Sequence, residues 1–151
     1  MLIHLDYKID KQTLLREYEE LKDELYEFNK NDPHWKKMNI VGEYGESCRK
    51  KLTSGLKGRN LAGYYLQPAE TSVSPHTDSK CKCRVNLRLT DDDGVITIGG
   101  EVKKYDFALI NTGRYEHSVS KCSRSRLLFS IIYHDDSFEE VRNRLQEMSI
   151  C

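Results

Sequence analysis

The stretch that decides the fold is "SPHTDSKCKCRVNLRLT", residues 74–90, in which polar and apolar side chains alternate. Successive residues of a β-strand point to opposite faces, so residues two apart share a face. His76 and Asp78 can therefore aim at one point. The pattern downstream predicts a strand with a polar, cationic face and an apolar face: Lys82, Arg84, Asn86 and Arg88 against Cys83, Val85, Leu87 and Leu89.

The segment 61–134 predicts a β-rich core. It contains six short runs that are rich in β-branched and aromatic residues: "LAGYYLQP", "RVNLRLT", "GVITIGG", "EVKKYDFALIN", "HSVS" and "RLLFSIIYH". Turn signals such as "DDDG" at 91–94 and "GG" at 99–100 separate them. Closely spaced short strands of this kind are typical of a barrel or a sandwich.

Helices are predicted on both sides of this core. An apolar stripe predicts a helix from about 11 to 29, capped by Asp10 and ended by the breakers in "NKNDPHW", with stripe positions Leu14, Tyr18, Leu21, Leu25 and Phe28. After the core, Ser137 and Glu140 have the spacing of a capping box. We expect one domain over 1–151, with a helical segment at about 10–58 that is loop around perhaps one short helix after 41, the β core at about 61–134, and a helix at about 137–149.

Composition excludes some classes of protein. Lys plus Arg equals Asp plus Glu at 24 each, so the net charge is zero and nucleic acid is a poor first expectation as a partner. The chain lacks a run of about 18 apolar residues, so we expect no membrane span. Its start, "MLIHLDYKIDKQ", does not have the pattern of a secretory signal.

The five cysteines are odd in number, and together with the lack of a signal they predict reduced thiols and a cytoplasmic protein. Cys81, Cys83 and Cys122 raise the alternative of a zinc site. A zinc site of this kind needs a fourth ligand and usually a CxxC pair, neither of which the sequence offers. We therefore expect no zinc.

Two downstream residues indicate a function for the His76-x-Asp78 pair. His117 opens one predicted strand, and Arg126 opens the next one nine residues later. Two His and one carboxylate on a β scaffold are the facial triad of non-haem Fe(II) oxygenases. The planar fork of an arginine pairs with a carboxylate through two hydrogen bonds, so Arg126 suits a dicarboxylate co-substrate. Arg124, two residues earlier on the same face, is the competing candidate.

The segment of about 61–134 resembles the 2-oxoglutarate and Fe(II)-dependent oxygenases, and within them it is most similar to the aspartyl/asparaginyl β-hydroxylase type. The stretches that carry the resemblance are "YYLQPAETSVSPHTD", "CKCRVNLRL", "DFALINTGRYEHSV" and "RLLFSII". Their order and spacing are more specific than the HxD pair alone. The resemblance implies a mainly β chain with flanking helices around a double-stranded β-helix core, that is, a cupin-like jelly roll.

The resemblance also implies the roles of the site residues. His76, Asp78 and His117 would ligate Fe(II) and form the catalytic centre, and Arg126 would bind the distal carboxylate of 2-oxoglutarate. Tyr64 or Tyr65 would add a hydrogen bond to that carboxylate, and Asn86 would lie near the co-substrate. Lys82 and Arg84 fall near family arginines that hold the carboxylate of the substrate.

Strand alternation predicts which way these side chains point. We expect Arg84, Asn86 and Arg126 to face into the barrel, and Cys83, Val85, Leu87 and Leu89 to lie outside, under the N-terminal helix. No acidic residue shares the inward face of that strand with Arg84. Because a buried unpaired charge is costly, Arg84 is expected to meet a carboxylate of the substrate.

The function implied by the resemblance is hydroxylation of an unactivated C–H bond, with O2 and 2-oxoglutarate consumed and succinate and CO2 released. The substrate would be a small molecule or a peptidyl side chain, with an Asp/Asn-like or other acidic group as one option. A prolyl-hydroxylase-like oxygenase with another substrate is an alternative. A second alternative is a catalytically silent cupin-like module that binds a metal or a ligand.

Overall fold

The computed structural model describes residues 1–29 and 32–151 of the chain. In this part of the chain the helices and strands are, in order, β1 (Leu2–His4), α1 (Lys11–Leu21), β2 (Tyr26–Asn29), β3 (Asp32–Met38), α2 (Glu43–Leu52), β4 (Asn60–Gln67), β5 (Val73–His76), β6 (Cys83–Arg88), β7 (Ile96–Ile98), β8 (Glu101–Lys103), β9 (Phe107–Ile110), β10 (His117–Val119), β11 (Arg126–Tyr133) and α3 (Phe138–Glu147). A short 3₁₀ turn, Lys22–Glu24, follows α1.

The strands form two antiparallel sheets. The larger sheet has seven strands in the order β1-β9-β6-β11-β4-β3-β2, and the smaller has four in the order β5-β10-β7-β8. Strand β11 lies at the centre of the larger sheet, where it pairs with β4 on one side and β6 on the other. The predicted jelly-roll core with flanking helices is therefore confirmed.

The outer face of the larger sheet packs against the helices. Leu127, Phe129, Ile131 and Tyr133 alternate along β11 and share one apolar core with the buried Leu14 of α1 and Leu145 of α3. The predicted outward residues of β6 and the following Leu89 belong to the same core. Burial of each such side chain contributes about 1.5–3 kcal/mol, so this layer fixes the larger sheet as a rigid wall. Its opposite face is then free to carry a site.

The predicted helix from about 11 to 29 is too long. The α-helix ends at Leu21, and Leu25 has an extended backbone (φ −65°, ψ 134°). Tyr26 to Asn29 pair with β3, with Tyr26 opposite Lys37, and so form the edge strand of the larger sheet. Tyr and Phe have high strand propensity, and pairing with β3 overrides the helical spacing of the last two stripe positions. Of the predicted breakers, Asn31 lies outside the described residues, as does the neighbouring Lys30.

The remaining helices agree with their sequence signals. The short helix expected after residue 41 is α2, and the capping box predicted at the start of α3 is present: Ser137 Oγ accepts from Glu140 N, and Ser137 N donates to the Glu140 carboxylate. Among residues 1–29 and 32–151, none of the helices combines the length and apolar character that crossing a bilayer requires. The segment 10–58 is thus not wholly helical, because β2 and β3 separate α1 from α2.

Candidate metal and co-substrate site

A cavity of about 750 Å³ lies between the two sheets. Its walls come from the inward faces of β4, β6 and β11 in the larger sheet and of β5, β7 and β10 in the smaller one. The inward direction predicted for Arg84, Asn86 and Arg126 is confirmed, because all three line this cavity. The cavity therefore gathers residues that are far apart in the sequence.

A cluster of three metal-ligand side chains lies in the cavity wall. His76 ends β5 and His117 begins β10, and the two residues are directly opposite in the antiparallel ladder. Asp78 follows β5 in the loop. Its Oδ1 lies 3.5 Å from His76 Nε2 and 3.7 Å from His117 Nε2. The ligand atoms of all three residues lie within 4.8 Å of one another.

Both imidazole rings are held by backbone carbonyls. Nδ1 of His76 donates to the carbonyl oxygen of Ser74 at 2.7 Å, and Nδ1 of His117 donates to that of Tyr115 at 3.1 Å. A neutral histidine that donates from Nδ1 has its lone pair on Nε2, which is the arrangement that metal-binding histidines have. The Asp78 hydrogen bond raises the pKa of His76, whereas burial lowers the pKa of His117. His117 is thus the more readily neutral of the two.

The donor set fits a divalent metal ion such as Fe(II). At metal–ligand bonds of about 2.1 Å, neighbouring ligand atoms of an octahedral centre lie about 3 Å apart. The Nε2 and Oδ1 atoms are only slightly farther apart than this. Two imidazole nitrogens and one carboxylate oxygen occupy one face of such a centre and leave coordination positions for other ligands.

Arg84 forms an ion pair with the carboxylate of this cluster. Its guanidinium lies 2.9 Å from Asp78 Oδ2, and both side chains are 13% exposed. Burial opposes the ionisation of Asp78, but the His76 hydrogen bond and the Arg84 charge outweigh it, so the pKa of this carboxyl lies well below its usual range. The expectation that Arg84 lacks an acidic partner is therefore wrong. The partner comes from the loop after β5, which the alternation of β6 alone does not reveal.

A second polar group lies around Arg126, whose side chain is 3% exposed. The guanidinium donates to Tyr105 Oη at 2.8 Å, and Asn86 Nδ2 donates to the same oxygen at 3.1 Å. Ser130 Oγ in turn donates to Asn86 Oδ1. Because Tyr105 Oη accepts two hydrogen bonds, its own proton is available to a further acceptor. Arg126 Nε has no hydrogen-bond partner in the described part of the chain, although Asp92 Oδ1 lies 3.7 Å away.

The remaining predicted site residues divide between the cavity and its surroundings. Tyr65 lines the cavity, with the Arg84 guanidinium 5.1 Å from its ring centroid. Tyr64 is on the opposite face of β4, where its hydroxyl donates to the Leu14 carbonyl, so it lies away from the cavity. Lys82 is exposed in a neighbouring cleft rather than in the cavity. Arg124, the competitor of Arg126, is exposed near Asp91.

Sequence reasoning missed four residues of this region. Tyr105 and Asp92 belong to the Arg126 group, and Trp35 and Lys37 line the cavity from β3. A signal for Asp92 exists, since its carboxylate accepts from Thr90 Oγ1 and Gly94 N in the local turn that "DDDG" predicts. The position of Tyr105 next to Arg126 has no local signal. Trp35 and Lys37 were missed because β3 was not predicted.

Among known proteins, similarity to this chain is found in solved structures. No protein-family model matches the chain, and no curated protein matches it in sequence. A prolyl-4-hydroxylase from Pseudomonas putida is 14% identical, with TM-score 0.69 over 91% of this chain and 92% of its own. A prolyl hydroxylase from Trichoplax adhaerens, in complex with a hypoxia inducible factor oxygen degradation domain peptide fragment, is 17% identical, with TM-score 0.68 over 95% and 86%.

A third similar structure is an oxidoreductase of the 2OG-Fe(II) oxygenase family from Burkholderia pseudomallei. It is 14% identical, with TM-score 0.57 over 85% of this chain and 81% of its own. At such identities the likeness establishes the fold, which is the one that 2-oxoglutarate and Fe(II) oxygenases have. The aspartyl/asparaginyl β-hydroxylase type stays a prediction.

Proposed function

We propose that the protein is a 2-oxoglutarate-dependent Fe(II) dioxygenase that hydroxylates a C–H bond. The observation that carries this proposal is a single cavity with two matched polar groups. The Nε2 atoms of His76 and His117 and the Asp78 carboxylate converge in one of them. The other presents the guanidinium of Arg126 with a tyrosine hydroxyl. A dicarboxylate that binds both a metal and an arginine needs this combination.

The Arg126 group would bind the distal carboxylate of 2-oxoglutarate. The Arg126 guanidinium supplies charge at the cavity wall, and Tyr105 Oη has a proton to donate. Asn86 and Ser130 hold the Tyr105 hydroxyl in place through their hydrogen bonds. Charge-assisted hydrogen bonds of this kind contribute about 1.5–3 kcal/mol each, enough to decide between a dicarboxylate and a monocarboxylate.

The triad residues would hold the metal, and Arg84 would orient Asp78. His76 and His117 have their Nδ1 atoms committed to backbone carbonyls, so each ring is oriented before a metal arrives. Arg84 holds Oδ2 of Asp78 and leaves Oδ1 towards the two imidazoles. Bound Fe(II) would supply the activation of dioxygen that oxidises 2-oxoglutarate and the substrate.

Apolar side chains separate this chemistry from bulk water. Ile96, Val119 and Leu128 are buried and line the cavity with Val73. A dry wall strengthens the interaction between Arg126 and a carboxylate, because the local dielectric constant is lower than that of water. The same wall protects an oxidising site from side reactions with solvent.

The substrate is proposed to be peptidyl or a small molecule that carries an acidic group. The structural neighbours named as prolyl hydroxylases, one of them bound to a peptide, support a peptidyl substrate. They also keep a prolyl-hydroxylase-like activity as the alternative substrate class. We further propose a reducing compartment such as the cytoplasm, since the five cysteines are free thiols.

The test is co-substrate turnover in the absence of a known substrate. Purified protein with Fe(II), 2-oxoglutarate and air is expected to release succinate slowly, and the same mixture without oxygen is expected to release none. His76→Ala and His117→Ala should abolish this turnover and lower metal affinity, whereas Lys51→Ala on the exposed face of α2 should change neither. Binding of the metal and 2-oxoglutarate with no succinate under any condition would instead support a silent cupin-like module.

A further inference from the structure

Two adjoining concavities form one continuous surface at the mouth of the site. A cleft of about 590 Å³ lies beside the cavity and is lined by Arg59, Ser79, Lys80, Cys81, Lys82, His134 and Asp135. Ser79, Lys80, Cys81 and His134 line the cavity as well. A ligand can therefore lie in both at once, which favours an extended molecule over a compact one.

Positive charge is concentrated on this surface. The two linings together contain six cationic side chains, Lys37, Arg59, Lys80, Lys82, Arg84 and Arg126, and two carboxylates, Asp78 and Asp135. The chain as a whole has 24 residues of each sign. The excess of positive charge is thus a property of this surface and not of the whole chain. Fe(II) and the 2-oxoglutarate dianion carry opposite charges of the same size, so their binding would leave the excess unchanged.

Lys80 and Lys82 contribute to this excess of positive charge, because the two carboxylates of the lining form ion pairs with arginines. Asp78 pairs with Arg84, and Asp135 Oδ1 lies 2.9 Å from the Arg59 guanidinium. Arg126 has Asp92 behind it. Burial lowers the pKa of Lys37, and the nearby charges of Arg84 and Lys80 lower it further, so these cations lie close enough to interact. Crowded cations repel one another, and a bound anion would relieve that repulsion.

We propose that the cavity mouth and the adjoining cleft bind an acidic segment of a polypeptide substrate, with the exposed Lys80 and Lys82 facing its carboxylates. This inference names the substrate class and rests on the proposed function only for what happens after binding. Lys82 would thus bind the substrate from the cleft and not from within the cavity. Nucleic acid fits this surface less well, because bases stack on open aromatic faces. Here the Tyr65 ring is already in contact with two side chains. The Arg84 guanidinium lies over it, and Trp35 packs against the same ring edge-on, with the ring centroids 6.2 Å apart.

The experiment measures binding apart from turnover. The probe is a fluorescein-labelled peptide of Glu-Gly-Ser repeats, compared with the same peptide in which Gln replaces Glu. Its anisotropy is followed on the full chain loaded with Zn(II) and 2-oxoglutarate, at low ionic strength. The test variant is Lys80→Glu/Lys82→Glu, and the matched control is Lys50→Glu/Lys51→Glu, which reverses two exposed lysines on α2.

We expect the Glu peptide to bind and the Gln peptide to bind at least about tenfold more weakly. The Lys80→Glu/Lys82→Glu variant should lose about tenfold in affinity for the Glu peptide and the control variant should lose none, with both retaining the Zn(II) affinity and thermal stability of the parent. Equal binding of the two peptides, or an equal loss in both variants, overturns the proposal. So does displacement of the Glu peptide by a single-stranded oligonucleotide or by free glutarate at lower concentration than by unlabelled peptide.

The two proposals fail in different ways. Binding of the acidic peptide without any succinate release contradicts the proposed oxygenase function and leaves the acidic-segment surface standing. Succinate release that is stimulated equally by acidic and neutral peptides supports the oxygenase and contradicts the acidic-segment surface. Hydroxylation itself is measured separately, by mass spectrometry of a mixture of random peptides that detects the gain of one oxygen atom.

Discussion

The ion pair between Arg84 and Asp78 shows how one contact changes the role of a residue. A largely buried cation needs an anion, and the sequence predicted that a substrate would supply it. The chain supplies the anion itself, from the carboxylate that also belongs to the metal cluster. Arg84 is therefore proposed as a positioning residue, which acts on the metal through Asp78 and does not contact substrate.

Arg84→Met tests this role, because Met keeps much of the length of the side chain and removes its charge and donors. Without the guanidinium, Asp78 can rotate away from the two imidazoles. Loss of a partner that orients a ligand typically lowers metal affinity by about 10–100-fold. We expect that loss in a Co(II) or Fe(II) titration. The affinity of the metal-loaded variant for 2-oxoglutarate should change much less.

The matched control for this variant is Arg88→Met. Arg88 lies on the same face of β6, four residues further on, where it contacts Asp106 and the Asp92 carbonyl. Because it lies away from the metal cluster, its loss should leave metal affinity unchanged. Unchanged metal affinity in Arg84→Met, or an equal loss in both variants, would show that Arg84 does not position Asp78.

The Arg126 group provides a second residue-scale prediction. Arg126→Gln should weaken 2-oxoglutarate binding by about 10–100-fold, because a charge-assisted hydrogen bond is worth roughly 1.5–3 kcal/mol. Tyr105→Phe removes one neutral donor and should weaken it by about tenfold or less. Isothermal titration of 2-oxoglutarate into the Zn(II)-loaded protein measures both. Arg124→Gln is the control, since its side chain is 71% exposed, and a larger effect there than in Arg126→Gln would reverse the assignment.

At the scale of secondary structure, strands with strict alternation were predictable and the N-terminal segment was not. Alternation in β6 and β11 assigns each side chain to a face, because one face is covered by helices and the other lines the cavity. The segment after Leu21 carries both a helical stripe and strand-forming aromatics. Its conformation is decided by pairing with β3, a partner that local sequence does not contain.

The grouping of the candidate site residues in one cavity was predictable where it depends on short motifs and not where it depends on tertiary contacts, while their roles stay predictions. His76, Asp78, His117 and Arg126 follow from spacing and resemblance. The choice of Tyr65 over Tyr64 needed only the register of β4, since alternate residues point to opposite faces. Tyr105 reaches Arg126 because β9 and β11 flank β6, and no spacing in the sequence encodes that neighbourhood.

The capping box of α3 makes a prediction at this scale. Ser137→Ala removes the acceptor for Glu140 N, which lies 3.2 Å from Ser137 Oγ. An N-cap serine typically contributes about 1 kcal/mol, so the melting temperature should fall by about 3 °C for a chain of this size. Circular dichroism measures the change. Ser72→Ala, at an exposed position before β5, should not shift the melting temperature, and an equal shift in both would contradict the cap.

At the scale of the whole molecule, the net charge is zero but the charged residues are unevenly distributed. Equal numbers of acidic and basic residues argue against a general field that attracts polyanions. The cations nevertheless collect where the cavity opens, and acidic side chains are spread over the helices, as in "REYEELKDEL" at 16–25. A neutral chain can thus still select an acidic partner, provided that the partner reaches the mouth of the cavity.

The reactivity of the cysteine thiols tests the packing of the whole molecule. Four of the five thiols are buried, and burial raises the pKa of Cys48, Cys81, Cys83 and Cys122. Cys151 is exposed, although partial burial also raises its pKa. Reaction requires that the reagent reach the sulfur, so exposure favours Cys151 over the four buried thiols. We expect one fast equivalent with a disulfide reagent such as Ellman's at pH 8, and five equivalents after unfolding in guanidinium.

Two controls assign the fast equivalent and test the cavity at the same time. Cys151→Ser should abolish the fast phase and leave four thiols that react at the rate of unfolding. Because Cys81 lies in the cavity wall 3.4 Å from Asp78 Oδ2, bound metal and 2-oxoglutarate should slow its reaction further. A second fast equivalent in the native protein that disappears with metal would identify Cys81 as accessible from the cavity. Fast equivalents from Cys48 or Cys83 would instead contradict the packing of the helices on the larger sheet, since these thiols lie in that core.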